Sequence, residues 1–480
     1  MKELTSLALD VAKTFGATYA DIRIIEEQSE SITIKKGRVE EISASTNYGF
    51  GVRVLANGAW GFAGSFLVEK PEVERIARLA VEIAKASAIL AKQSVGLSPA
   101  PIIQDSYKSD VEIDPFAVSL EDKLALLSEA EEIVRKTQGV TISSASMNIS
   151  KEKKIFANLE GSYIEQEITE SGAVLDAVAI KGSDIQERSY PNSHGGDVST
   201  AGYEFIQGML LKDNASRIAE EAVQLLSAKP CPSGELTVIL NGDQLALQVH
   251  ESCGHPVELD RVLGMEASFA GTSFLTLDKL NKFQYGSPVV NINSDATIPR
   301  ALGTFGYDDE GVPAQRFDII KNGVFAGYLT SRETAPVLRQ ASNGCMRADG
   351  WGRLPLIRMT NVNLLPGNSS LEGMIEGVKD GLFLSTNRSW SIDDKRLNFQ
   401  FATQIGWEIK NGKLGAMIKN PNYTGITPEF WNSCDAIAGK DEWRVWGLAN
   451  CGKGEPMQVA HVAHGAAPAR FRNVKVGVGR

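Results

Sequence analysis

Few side chains in this chain of 480 residues can grip a transition metal: it has only five histidines and five cysteines. The cysteines, at 231, 253, 345, 434 and 451, are odd in number and widely scattered. That pattern excludes a disulfide framework and makes a reducing cytoplasm the expected home. No lysine/arginine block stands out against a net charge of −10, so no nucleic-acid partner is expected. No apolar run approaches the roughly 20 residues of a membrane span, so no membrane is expected either. No fixed internal period recurs, which argues against a solenoid or propeller. What remains is an ordinary globular composition in a chain too long for one hydrophobic core, and hence two or three domains.

The first segment, "MKELTSLALDVAKTFG", carries Asp10 inside its apolar run and reads as an amphipathic helix rather than a signal peptide. Leu4, Leu7, Val11 and Phe15 form its stripe, and Gly16 ends it. The period then changes to two, and "YADIRIIEE", "SITIKKGRVEEI" and "GVRVLANGAWGF" read as strands, with a hairpin at Asn57-Gly58. A helix follows from Pro71 with Val73, Ile76, Ala80 and Ile83 on one face. Residues 92–118, with three prolines, read as a crossing segment or exposed loop. Ser119 and Asp122 resemble a capping box for a helix to about Thr137. Residues 139–190 alternate like strands, and 215–228 is helical. "KPCPSG" is a plausible boundary, dividing the chain at 1–228 and 229–480. His194, alone in a loop, reads as a surface residue.

The second half opens with the strand "ELTVIL", a turn, and a helix "QLALQVHESCG". Many strands follow, with hairpin signals at Asn322-Gly323 and Asn411-Gly412, and two short helices, "SSLEGMIEGVKDG" and "TPEFWNSCDAI". The fold class expected is α+β: a mixed N-terminal domain, then a strand-rich, barrel-like C-terminal domain.

Two of the five histidines flank a glutamate in "HESCGHP", residues 250–256. The zinc-protease pattern HExxH spaces its histidines four apart, so they share a helix face. Here His250 and His255 are five apart, which on an ideal helix splays them by roughly 140°. Both reach one metal only if the helix ends there, with Gly254 giving freedom and Pro256 forcing His255 into extended geometry, or if a π-bulge takes up the extra residue. A hydrolytic zinc usually takes three protein ligands plus water. Candidates for the third are Cys253 within the motif, Glu258 and Asp260 just after it, Cys451 in the glycine-flanked "NCGKGE", and His461 and His464. Cys231, Cys345 and Cys434 read as buried, inert thiols.

The chain resembles the TldD branch of the TldD/PmbA family of zinc metallopeptidases. The resemblance rests on "HESCGHPVELD", on "YADIRI…KKGRVEEIS…GFGVRVLANGAWGFA" near the start, and on "FGYDDEGVPAQRFDIIKNGVFAGYLTSRETA", "RMTNVNLLPG" and "CGKGE". These segments follow one another across nearly the whole chain. The resemblance implies His250, His255 and Cys451 as the ligands of one Zn2+ per chain, and Glu251 as the catalytic carboxylate. It departs from the family pattern at "SCG", where small apolar residues are usual, which leaves Cys253 a rival ligand. It further implies a cytoplasmic metallopeptidase acting on unfolded or small peptides, paired as a homodimer or with a related subunit. The rival expectations are a non-catalytic binding subunit and a zinc hydrolase of another amide substrate.

Overall fold

The structure is a computed structural model, and it describes residues 1–268 and 271–477. Helix α1 (Lys2–Thr14) buries Thr5, Ala8, Leu9 and Ala12. Leu4, Leu7 and Val11 sit at the margin of that stripe and Phe15 is exposed, so the buried face is one position round from the expected one. Strands β1 (Tyr19–Lys35) and β2 (Arg38–Ala56) are longer than the sequence pattern implied. The polar stretch "QSE" in β1 stays extended because it is paired on both sides, Gln28 with Thr46 and with Lys151. Asn57 and Gly58, with φ of 52° and 78°, turn β2 into β3 (Ala59–Ser65), the left-handed pair that a two-residue hairpin requires.

Helix α2 (Lys70–Ala88) buries Val73, Ile76 and Ala80 but leaves Ile83 largely outside. The crossing segment carries one short strand, β4 (Gln104–Lys108). Ser119 caps α3 (Leu120–Lys136), its Oγ accepting from the Asp122 N–H at 3.1 Å. Then come β5 (Val140–Asn158), β6 (Tyr163–Lys181), β7 (Asp184–Tyr190), β8 (Asp197–Ser199), α4 (Tyr203–Gly208) and α5 (Leu211–Leu225). One eight-stranded sheet runs β3-β2-β1-β5-β6-β4, with β7 and β8 also on β6. Helices α1 and α2 pack on its first strands around Ile22, Phe50 and Val73. Helices α3 and α5 pack on β5 and β6 around Leu127, Met147, Leu175 and Ile218.

After β9 (Lys229–Pro230) and β10 (Gly234–Leu240), helix α6 (Gly242–Val249) is buried at every residue. Short elements follow: α7 (Leu259–Val262), β11 (Ile292–Asp295), β12 (Arg316–Lys321), β13 (Val324–Phe325), β14 (Met346–Arg347), β15 (Leu356–Ile357), β16 (Val362–Leu364) and α8 (Leu371–Glu376). The chain ends with β17 (Asp380–Ile392), β18 (Asn398–Lys410), β19 (Lys413–Lys419), β20 (Asn422–Ile426), α9 (Thr427–Asn432), β21 (Cys434–Ile437), β22 (Arg444–Lys453), β23 (Gln458–Ala466) and β24 (Ala469–Val476). The expected barrel is present. Strands β17-β10-β24-β20-β18 form a ring that closes where β18 pairs back onto β17. Phe399, Phe401, Tyr423, Phe430, Trp431 and Phe471 stack in its core. The predicted hairpins at Asn322-Gly323 and Asn411-Gly412 join β12 to β13 and β18 to β19, again with both residues at positive φ. Among the described residues no helix is long and apolar enough to cross a membrane.

Candidate metal centre

Helix α6 does not end at His250. Its backbone widens into a π-helical turn over His250–Gly254, closed by the His255 N–H donating to the His250 carbonyl. Each residue of a π turn bonds five positions back, so side chains five apart come round to the same side. The extra residue of the motif is absorbed there. His255 keeps helical angles, φ −60° and ψ −40°, so the preference that a following proline imposes is overridden by packing. Pro256 acts differently: without an N–H it cannot extend the wide turn, and the chain tightens into a 3-10 turn over His255–Val257. Nor is Gly254 needed for its freedom, since its φ is −78°. A Cβ there would lie 2.0 Å from Met359 Sδ, so the glycine is a matter of space.

Buried hydrogen bonds hold the turn. Tyr285 donates to the Ser252 carbonyl, Trp431 Nε1 donates to Ser252 Oγ at 2.9 Å, and Ser252 Oγ donates to the Gln248 carbonyl. Strand β22 brings Cys451 to the same place from across the domain, its Sγ 3.7 Å from His255 Nε2. One ligand atom from each of His250, His255 and Cys451 lies within 4.8 Å of the others, and all three residues are buried. They line a cleft of about 380 Å³ with Glu251, Trp390, Arg396 and Asn450.

Both histidines have a partner behind them. His255 Nδ1 lies 3.0 Å from Glu258 Oε2. Glu258 is wholly buried, and although burial opposes ionisation, Lys453, His255 and Arg261 hold its carboxyl well below the usual range. His250 Nδ1 lies 2.8 Å from His464 Nε2. Burial pushes His250 down to about 4, so it is a neutral imidazole near pH 7. Burial also opposes ionisation of Cys451, yet His255 and Arg358 bring its thiol below the ordinary range. Glu251 forms a close ion pair with Arg396. Burial would raise its carboxyl, but Arg396 and the two histidines take it down.

Three of the other third-ligand candidates face other partners. Cys253 shares the turn but faces Tyr285 Oη at 3.3 Å, and burial pushes its thiol up to about 12. Asp260 pairs with Lys453 at 2.7 Å. His461 pairs with Glu170 on a separate polar cavity. Cys231, Cys345 and Cys434 are buried away from the cleft, and none of them is in a disulfide among the described residues. His194 is exposed, hydrogen-bonded to Asn387 and edge-on to Trp390. The sequence reading missed Arg396, which the β17–β18 hairpin delivers from 145 positions away, and no local pattern announces it. Glu258, left open as a third-ligand candidate, stands three residues after His255 and pairs with its Nδ1.

Three domain profiles match the chain in order: PmbA/TldA metallopeptidase domain 1 over residues 20–84, the central domain over 113–229, and the C-terminal domain over 233–477. The chain belongs to the PmbA/TldA metallopeptidase family. Within that family it is 34% identical to a metalloprotease of Methanocaldococcus jannaschii, covering 91% of this chain and 92% of that one. It is 25% identical to the zinc metalloprotease TldD homolog of Saccharolobus solfataricus, over 97% and 98%. The fold is also that of TldE from Thermococcus kodakarensis, with a TM-score of 0.72 at 17% identity over 99% and 100%.

Proposed function

We propose that the protein is a zinc-dependent metallopeptidase that hydrolyses unfolded or small peptides, with one zinc per chain on His250, His255 and Cys451. The carrying observation is the convergence of two imidazole nitrogens and a thiol sulfur within 4.8 Å on the wall of a cleft that also presents a carboxylate. That donor set suits zinc, and three ligands leave one position open for chemistry. A zinc ion held there supplies Lewis-acid polarisation of a water and of the peptide carbonyl. Glu251 accepts the proton of the attacking water and gives it to the leaving amine nitrogen. Arg396 fixes that carboxylate, and its Nε–H, buried without a partner among the described residues, donates to the oxygen on which charge develops. The peptide lies extended beside a strand edge, an arrangement that reads backbone more than side chains.

The chain works in the cytoplasm as a dimer, with itself or with a related subunit. Its cysteines form no disulfide among the described residues, in agreement with a reducing compartment. Glu251→Gln tests the chemistry: zinc and peptide should still bind while cleavage slows by at least about 100-fold. His250→Ala, His255→Ala and Cys451→Ala should each lose most of the zinc, and Cys434→Ala should not. Unchanged cleavage by Glu251→Gln would remove it as the base. A wild-type protein that binds zinc and peptide yet never cleaves would favour the non-catalytic subunit. A stable, fully active monomer in light scattering would count against the dimer.

A further inference from the structure

The geometry points to His464 as a positioning residue that fixes the tautomer of His250, so that His250 offers a bare Nε2 to the metal. His464 is wholly buried on β23, and its two nitrogens have one partner each. Nδ1 lies 2.8 Å from the Val362 carbonyl oxygen and Nε2 lies 2.8 Å from His250 Nδ1. A carbonyl only accepts, so His464 Nδ1 carries a hydrogen. A buried imidazole whose partners are a carbonyl and a second imidazole stays neutral, so its Nε2 carries only a lone pair. The single hydrogen in the contact between the rings therefore belongs to His250 Nδ1. His250, neutral in its turn, has its lone pair on Nε2.

The relay is anchored at its far end. Val362 lies in β16, and β23 is laid against that strand by the Gly465 N–H donating to Asn363 Oδ1 at 2.7 Å and the Ala463 N–H donating to the Thr360 carbonyl at 3.3 Å. The two rings stand at 87° with centroids 4.9 Å apart. Two different devices thus orient the two histidines. His255 is held by a carboxylate, Glu258, and His250 by a neutral imidazole, which adds no further negative charge beside the thiolate and the two glutamates. Partners of this kind fix ring orientation and donor strength.

The inference rests on His250 being a ligand, and the experiment separates the two claims. Zinc affinity of the full chain is measured by chelator competition for wild type, His250→Ala, His464→Phe and His464→Gln, with thermal melts to establish that each variant folds. Phenylalanine keeps the ring volume but removes the acceptor, and affinity should fall by about 10–100-fold. Glutamine places an acceptor oxygen near the former Nε2 and should recover most of that loss. Long-range proton–nitrogen spectra of histidine-labelled, zinc-free wild type should show His250 protonated at Nδ1, whatever the fate of the variants. A His250 protonated at Nε2, or a folded His464→Phe with wild-type affinity beside a His250→Ala that has lost zinc, overturns the role of His464. Wild-type affinity in His250→Ala overturns the ligand assignment instead.

Discussion

Arg396 is where a single side chain has most influence without being a metal ligand candidate. It reaches the cleft at φ 62°, pairs with Glu251, and its Nε–H is buried without a partner among the described residues. Arg396→Ala should retain zinc, because it touches none of the three donors' hydrogen bonds. It should lower kcat by about 100-fold, the scale of losing one donor to a developing oxyanion. Kinetics and zinc content on one preparation decide this, and full activity would restrict Arg396 to a structural ion pair. The ligands themselves were partly legible beforehand. The motif drew attention to His250, Glu251 and His255, but it left Cys253, Glu258, Asp260, Cys451, His461 and His464 open as the third. Only the family resemblance singled out Cys451, which lies about two hundred positions from its partners.

Among elements, the π turn matters most for the site. Its sequence signature is the five-residue spacing, which admitted either a helix end or a bulge. The bulge is what forms, because Gly254 lets Met359 close over the turn. Gly254→Ala would force a methyl group into Met359 Sδ, and overpacking of that kind costs about 1–3 kcal/mol. The expected outcome is a lower melting temperature and weaker zinc binding, with part of the loss recovered by Gly254→Ala/Met359→Ala. No recovery would mean that the glycine serves the backbone rather than the space. Helix α6 itself was legible as a helix but not as a buried one, since Asp243, Gln244 and Gln248 suggest a solvated side, whereas the structure buries all three and pairs them with Ser385 and Tyr423.

Across the whole molecule, we propose residues 1–228 and 229–480 as two folding units, each with its own eight-stranded sheet, the first with two core clusters and the second with one large one. Hydrogen exchange should protect them as two blocks, and a single block would refute the division. They meet through charged contacts: Arg53 with Glu310 at 3.2 Å, Lys154 with Asp309 at 2.9 Å, and Arg332 with Glu160 at 2.7 Å. Asp197 in β8 belongs to the same seam, its Oδ1 accepting from its neighbour Val198 N and from Gly447 N of β22. Burial pushes its carboxyl up to about 7, whereas in the unfolded chain it ionises near about 4. Between those values the unfolded state binds fewer protons, so this group's contribution to stability falls as pH rises through the window and levels off above it. Asp197→Asn keeps an acceptor oxygen and cannot ionise. Relative to wild type it should melt progressively higher from pH 5 to pH 7.5, and a constant difference would clear Asp197 of that role.

The alternating segments, the three Asn-Gly turns and the capped helix could be read directly because each depends on contacts within a few residues. The α+β class and the strand-rich second half followed from them, and the HESCGH spacing already required a departure from the α-helix. Three things depended on tertiary structure. Long strands kept their polar middles extended because both neighbours supplied hydrogen bonds. The barrel closed because β18 could pair with both β17 and β20. The site came together because β22, β23 and the β17–β18 hairpin carry Cys451, His464 and Arg396 to one turn of helix. Those meetings are set by packing between distant segments, and neither periodicity nor spacing along the chain encodes them.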